Sequence, residues 1–162
     1  MNNERQLEGK RFVEEVGISF EQTGLPRMAG RLLGWLLICD PPHQTTGELA
    51  EALLASKGSI STTTRLLIRI GLIERLSLPG IRHDYFRIRP GAWHQLIKES
   101  LVQIIAMRQL AEHGLELLGD ETHVNRQWLE EMRNMYIFFE REFPALLERW
   151  EQQRKGGKLQ VK

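Results

Sequence analysis

The stretch LLASKGSISTTTRLLIRIGLIER, Leu53 to Arg75, decides how this chain is read. Between Ser56 and Thr64 it holds six hydroxyl side chains, one lysine and one glycine. Serine, threonine and glycine are poor helix formers, yet the apolar residues around them repeat with a helical period. On a wheel of about 100° per residue, Thr64, Leu67 and Gly71 fall within about 40° of Ile60 and mark a buried side. Gly58, Ser59, Thr62, Arg65 and Leu66 take the opposite arc, with Ser61 and Thr63 on its shoulders. A merely solvated face would carry Glu, Lys or Gln. Small hydroxyls instead let a backbone approach a surface closely and offer both a donor and an acceptor. A helix N-terminus adds free N–H groups and the positive end of the dipole, which favour phosphate. The segment therefore reads as a helix from a Ser56 cap to Ile70, stopped by Gly71, whose outer arc is a contact surface suited to the major groove. The plainer alternative is that Ser56 caps a helix and the threonines only fill it.

The flanks are helical in pattern. Leu7, Phe12, Val16 and Phe20 give a first amphipathic helix ending near Gly24, and Pro26 opens a second that runs to about Cys39. The prolines of DPPH at 40–43 end it. Thr45 or Thr46, with Glu48 behind, caps a short helix carrying Leu49, Leu53 and Leu54. After Gly71, the runs LIERLSL and DYFRIR alternate as strands, and Pro79-Gly80 fits the central positions of a type II turn, so PGIRH becomes the basic tip of a hairpin. Past Pro90 one helix covers roughly residues 93–118, GDETH separates it from the next, and the last begins near Val124. There Trp128, Met132, Met135, Phe139, Phe143, Leu146 and Trp150 form a heptad-like seam, which Pro144 should interrupt with a kink near Glu140.

Composition bounds the rest. A chain of 162 residues with 41% apolar content is one globular domain by length, and its net charge is +1. The charge is unevenly placed: residues 25–90 hold nine Lys/Arg against five Asp/Glu, a net of +4, between slightly acidic flanks. A single cysteine, Cys39, cannot form an internal disulfide. With no signal-like N-terminus and no apolar run of about 18 residues, a cytoplasmic protein without a membrane partner is expected.

Four helices followed by a hairpin are the order of a winged helix-turn-helix. TGELAEALLASKGSISTTTRLLIRIGLIER (46–75) resembles the MarR-type regulators, particularly their GbsR-like branch, in its short helix, turn, recognition helix and G-L-I-E-R. GLPRMAGRLLGWLL (24–37) extends the resemblance more loosely to the whole arrangement. The chain departs from the pattern at the wing, where IRHDYFRIR offers Asp84 followed by Arg87 in place of Asp-x-Arg. The expected fold is thus mainly α with a small β-hairpin wing: a dimerisation helix at 1–24, a DNA-binding winged unit at 25–90, long dimerisation helices at 91–155 and a flexible tail at 156–162. Terminal helices intertwined between two chains are what the resemblance implies, and an unmatched seam demands a partner helix. The alternative is that the seam closes an intramolecular bundle.

Double-stranded DNA is the expected partner, met by Lys57, Ser59, Ser61, Thr62, Thr63 and Arg65 on the helix and by Arg82, His83 and Arg87 on the wing. The resemblance further implies a repressor acting on a palindromic operator and relieved by a small effector, choline-like in the GbsR-like branch. Trp93, Trp128, Tyr136 and Phe139 are the candidate aromatic residues for such a cation, although aromatics at helical spacing are more often core. Neither a cofactor nor a metal is expected, because Cys39 and His43 supply only two ligands and the remaining histidines lack a recognisable spacing. No H-E-x-x-H, phosphate loop or G-x-G-x-x-G sequence is present, so the chain is not expected to be an enzyme. Two other readings remain: a winged-helix module that binds protein instead of DNA, and a regulator that responds to oxidants through Cys39.

Overall fold

A computed structural model describes residues 3–77, 79–119 and 124–156. The elements follow in the order α1 (Asn3–Gln22), α2 (Arg27–Ile38), β1 (Gln44–Thr45), α3 (Thr46–Leu53), α4 (Lys57–Arg69), β2 (Ile73–Ser77), β3 (Asp84–Ile88), α5 (Ala92–Leu118) and α6 (Val124–Lys155). The fold is mainly helical with one small antiparallel sheet, as expected. The chain divides into two compact units, residues 1–96 and 97–162.

In the first unit, local chemistry sets the helix ends. Thr45 closes a capping box on α3: its hydroxyl accepts from the Glu48 N–H at 3.2 Å, and its own N–H donates to the Glu48 carboxylate at 2.7 Å. Ser56 caps α4 by accepting from the Ser59 N–H at 3.1 Å. Gly71 follows α4 at φ +79°, a left-handed position that favours glycine. Leu32 and Leu33 of α2, Leu49 and Leu53 of α3, Ile60 and Leu67 of α4, and Leu72 and Ile73 are fully buried and form the heart of the core. Packing of this kind, not intrinsic propensity, holds so hydroxyl-rich a segment helical.

Helices α1 and α2 approach so closely that glycine is required between them. A Cβ on Gly30 would lie 2.5 Å from the Val16 carbonyl oxygen and 2.7 Å from Gly17 Cα, and one on Gly34 would lie 3.1 Å from Val16 Cβ. The sheet has the order β1-β3-β2. In the hairpin Glu74 faces Arg87, Arg75 faces Phe86 and Ser77 faces Asp84, and Gly80 at φ +80° suits the second central position of the expected turn. Strand β1 was not expected. Two residues leave no alternation to read, and Gln44 and Thr45 become a strand only by pairing with Phe86 and Tyr85.

In the second unit, Ala111 and Leu115 of α5 are buried, and a Cβ on Gly114 would lie 3.0 Å from the Leu129 side chain, so α6 packs on α5 at a small residue. Arg108 of α5 donates to Glu112 at 2.6 Å and to Glu140 of α6. The face of α6 that turns inward carries Leu129, Tyr136, Glu140, Phe143 and Leu147, all partly buried. Most of the expected seam instead points outward: Trp128, Met135, Phe139, Leu146 and Trp150 are exposed, whereas Met132 and Phe143 are partly covered. Pro144 lies inside an unbroken α6. Most of the expected GDETH break, 120–123, and of the tail, 157–162, lies outside the described residues. No helix among the described residues is long and apolar enough to cross a membrane.

Candidate nucleic-acid interface

Exposure along α4 separates the hydroxyls into two groups. Lys57, Ser61, Thr62 and Arg65 are exposed and Ser59 is half-buried, so these five expected contacts share the outer side of the helix start. Thr63 does not join them. It is 7% exposed because the buried arc, centred between Ile60 and Leu67, reaches about as far towards Thr63 as towards Thr64. Thr64 settles its buried hydroxyl by donating to the Ser61 carbonyl at 3.1 Å, and Arg65 Nε donates to the same oxygen at 3.2 Å. The shared carbonyl holds the start of the Arg65 side chain along the helix. Leu66, outward on the wheel, packs against the core instead.

The wing separates its cations in the same way. Arg87 is tied to Glu74 across the hairpin at 2.7 Å, so its charge is already matched. Arg75 reaches Asp84 at 3.3 Å and lies 6.0 Å over the Phe86 ring, while Ser77 donates to Asp84 at 3.1 Å. Arg82 and His83 at the tip are exposed and have no ion-pair partner among the described residues. Behind the wing, the His43 ring meets Tyr85 edge-on at 5.0 Å, which anchors the loop before β1 to β3.

Helix and wing enclose a cleft of about 470 Å³. Lys57, Ser61 and Arg65 line one wall, Arg75, Arg82 and His83 the other, and Thr45, Thr46 and Gly47 the end at the start of α3. Four Lys/Arg side chains face it against one carboxylate, that of Asp84. Such a cleft attracts a polyanion whose phosphates can replace the missing counter-charge. The α3 start was not expected here. Its capping residues are legible in the sequence, but their place beside Arg82 depends on β1 joining the sheet.

The expected effector residues are not gathered in this cleft. Trp93, at the start of α5, is exposed in the first unit, while Trp128, Tyr136 and Phe139 lie on α6 in the second. Phe139 meets Phe138 edge-on at 5.8 Å. Cys39 is half-buried and donates weakly to the Leu36 carbonyl at 3.8 Å, and burial pushes its thiol pKa up.

Residues 91–153 match the family model described as MmpR5-like MarR family transcriptional regulator. A relative, the HTH-type transcriptional regulator MmpR5 of Mycobacterium tuberculosis (strain ATCC 25618 / H37Rv), is 45% identical over 141 residues, covering 87% of this chain and 86% of the relative. The putative HTH-type transcriptional regulator YvaV of Bacillus subtilis (strain 168) is 27% identical over 86 residues, 53% of this chain and 48% of its own. A crystal structure of a transcriptional regulator superposes with a TM-score of 0.75 at 44% identity, covering 90% of this chain and 99% of that one. Likeness at that identity across nearly the whole chain shows the family: the chain belongs to the MarR family of DNA-binding transcriptional regulators.

Proposed function

We propose that the chain is a homodimeric, cytoplasmic repressor that seats the start of α4 in the major groove of a palindromic operator while the wing tip holds the flanking backbone. The observation that carries this reading is the cleft between α4 and the wing, where the exposed Ser61 hydroxyl and four cations face one carboxylate. Ser59, Ser61 and Thr62 are the proposed base-reading side chains. Lys57, Arg65, Arg82 and His83 are the proposed phosphate or groove contacts. Thr63 and Arg87 are left out, the first by its burial and the second by its pairing with Glu74.

A second copy is the proposed partner of the outer face of α6, since Trp128, Met135, Phe139, Leu146 and Trp150 stay exposed in one chain. The small-molecule effector also belongs to this proposal. The GbsR-like resemblance makes a choline-like cation the first to try, with the aromatic residues of α6 as its contacts. A thiol switch is disfavoured, because a raised pKa leaves Cys39 less thiolate with which to react.

Selection of duplexes from a random-sequence library by the full chain tests the reading. A palindromic sequence should emerge, bound more tightly than a scrambled duplex at every salt concentration. Failure to enrich any sequence would overturn it and favour a protein-binding winged helix.

A further inference from the structure

Arg31 lies outside the cleft, yet it joins three parts of the first unit. Its Nε donates to Glu14 of α1 at 2.7 Å, and another guanidinium nitrogen donates to the Leu53 carbonyl at 3.0 Å, at the end of α3. The other Glu14 oxygen accepts from Arg27 at 3.2 Å, so the carboxylate is held from two sides. The stem of Arg31 crosses α1 over Gly17, where a Cβ would lie 2.8 Å from Arg31 Cγ. The next residue after Leu53 is Leu54, which stands at φ +50° and ψ +47° and is 89% exposed. A leucine in left-handed backbone is strained by about 1 kcal/mol, and its exposed side chain returns no packing. Two residues later Ser56 caps α4. Relaxing Leu54 to right-handed backbone would extend α3 and turn the start of α4 away from its place.

We propose that Arg31 is a positioning residue for DNA recognition: by tying the Leu53 carbonyl to Glu14 of α1, it holds the strained Leu54 turn and thereby the seating of α4. The proposal rests on α4 being the reading helix. A guanidinium suits the task because its fork meets a carboxylate and a carbonyl at once in fixed directions, which a lysine cannot do.

The test compares full-length wild type with Arg31→Lys, Glu14→Gln, Leu54→Gly and the Arg31→Lys/Leu54→Gly double variant. The probes are the duplex that wild type selects from a random library and a scrambled duplex of the same composition. Arg31→Lys should weaken the selected duplex roughly tenfold. Scrambled binding and the salt slope should stay unchanged, because Arg31 neutralises no phosphate. Amide exchange should rise at Ala55 and Ser59 and not along α2. Leu54→Gly alone should leave binding within about twofold, and in the double variant it should restore most of the affinity that Arg31→Lys removes, since glycine accepts the left-handed position without strain. Glu14→Gln, which leaves the Leu53 bond in place, should give a smaller loss of the same character and carries the test should Arg31→Lys not fold. Full affinity in both Arg31→Lys and Glu14→Gln, equal loss on both duplexes, or a loss that follows the melting temperature and is not rescued by Leu54→Gly would each overturn the proposal. If wild type selects no duplex, the DNA reading fails first and this inference with it.

Discussion

At the scale of single residues, exposure and pairing separate side chains that the wheel groups together. Thr62 is exposed beside the α4 start, and Arg82 on the wing has no ion-pair partner among the described residues, so they should fail differently. Thr62→Ala should reduce discrimination between selected and scrambled duplexes by about 1 to 3 kcal/mol, the worth of a well-read base pair. Arg82→Ala should weaken both duplexes alike and flatten the salt dependence by about one unit for each phosphate that the arginine neutralises. Titrations of both variants at several salt concentrations check this; no change in either would remove the outer side of α4 and the wing tip from the interface. Glu48 makes a prediction about pH. The Thr45 N–H and, after it, the Thr45 hydroxyl hold its carboxyl below the usual carboxylate range. A carboxyl that titrates lower when folded contributes fully above its unfolded value of about 4.3, and the contribution is lost as pH falls through the folded value. Glu48→Gln should therefore lower the melting temperature at neutral pH, and its gap from wild type should narrow as pH falls below the unfolded value of about 4.3.

At the scale of elements, the sequence is most legible where a local rule acts alone. Ser56, Thr45 and Gly71 mark helix ends by satisfying or releasing a few backbone groups, and α3 begins, and α4 begins and ends, where those rules put them; α3 stops at Leu53, with Leu54, expected on its apolar side, left-handed and exposed beyond it. Legibility fails where partners are distant. Gln44 becomes a strand only beside Phe86, Arg87 loses its free charge only to Glu74, and Thr63 turns inward because α4 packs across a wider arc than its leucines and isoleucine alone define. The seam on α6 is legible as a stripe, but a second stripe of similar period, with Leu129, Tyr136, Phe143 and Leu147, runs beside it, and only α5 decides that this second one is inner. The close approach of α1 and α2 at glycine allows a direct test. Alanine is favoured over glycine inside a helix by about 1 kcal/mol. At Gly30, however, the new methyl would meet a carbonyl oxygen at 2.5 Å and a Cα at 2.7 Å, both backbone atoms that cannot rotate away. Overpacking should win, and Gly30→Ala should destabilise the chain by about 3 kcal/mol in denaturant titrations. Ser56→Ala, which removes only a cap, should cost about 1 kcal/mol. Equal effects would mean that the helices can separate cheaply.

For the molecule as a whole, the exposed outer face of α6 predicts its assembly. Light scattering at micromolar concentration should report a mass near twice the chain's 18.8 kDa. A dimer of this kind should need half-sites about 10 to 11 base pairs apart, one turn of the duplex, so that both reading helices meet the same side. A clean monomer that still selects a palindrome would exclude α6 as the shared surface. The close glycines have a wider, genetic consequence. Any change in the first or second base of a glycine codon gives either a residue with a Cβ or a stop, and Gly30 and Gly34 stand where a Cβ meets α1. The lesions that silence this regulator should accordingly be spread well beyond the codons of its DNA-facing side, and inherited loss of control over its target genes should arise often from α1 and α2.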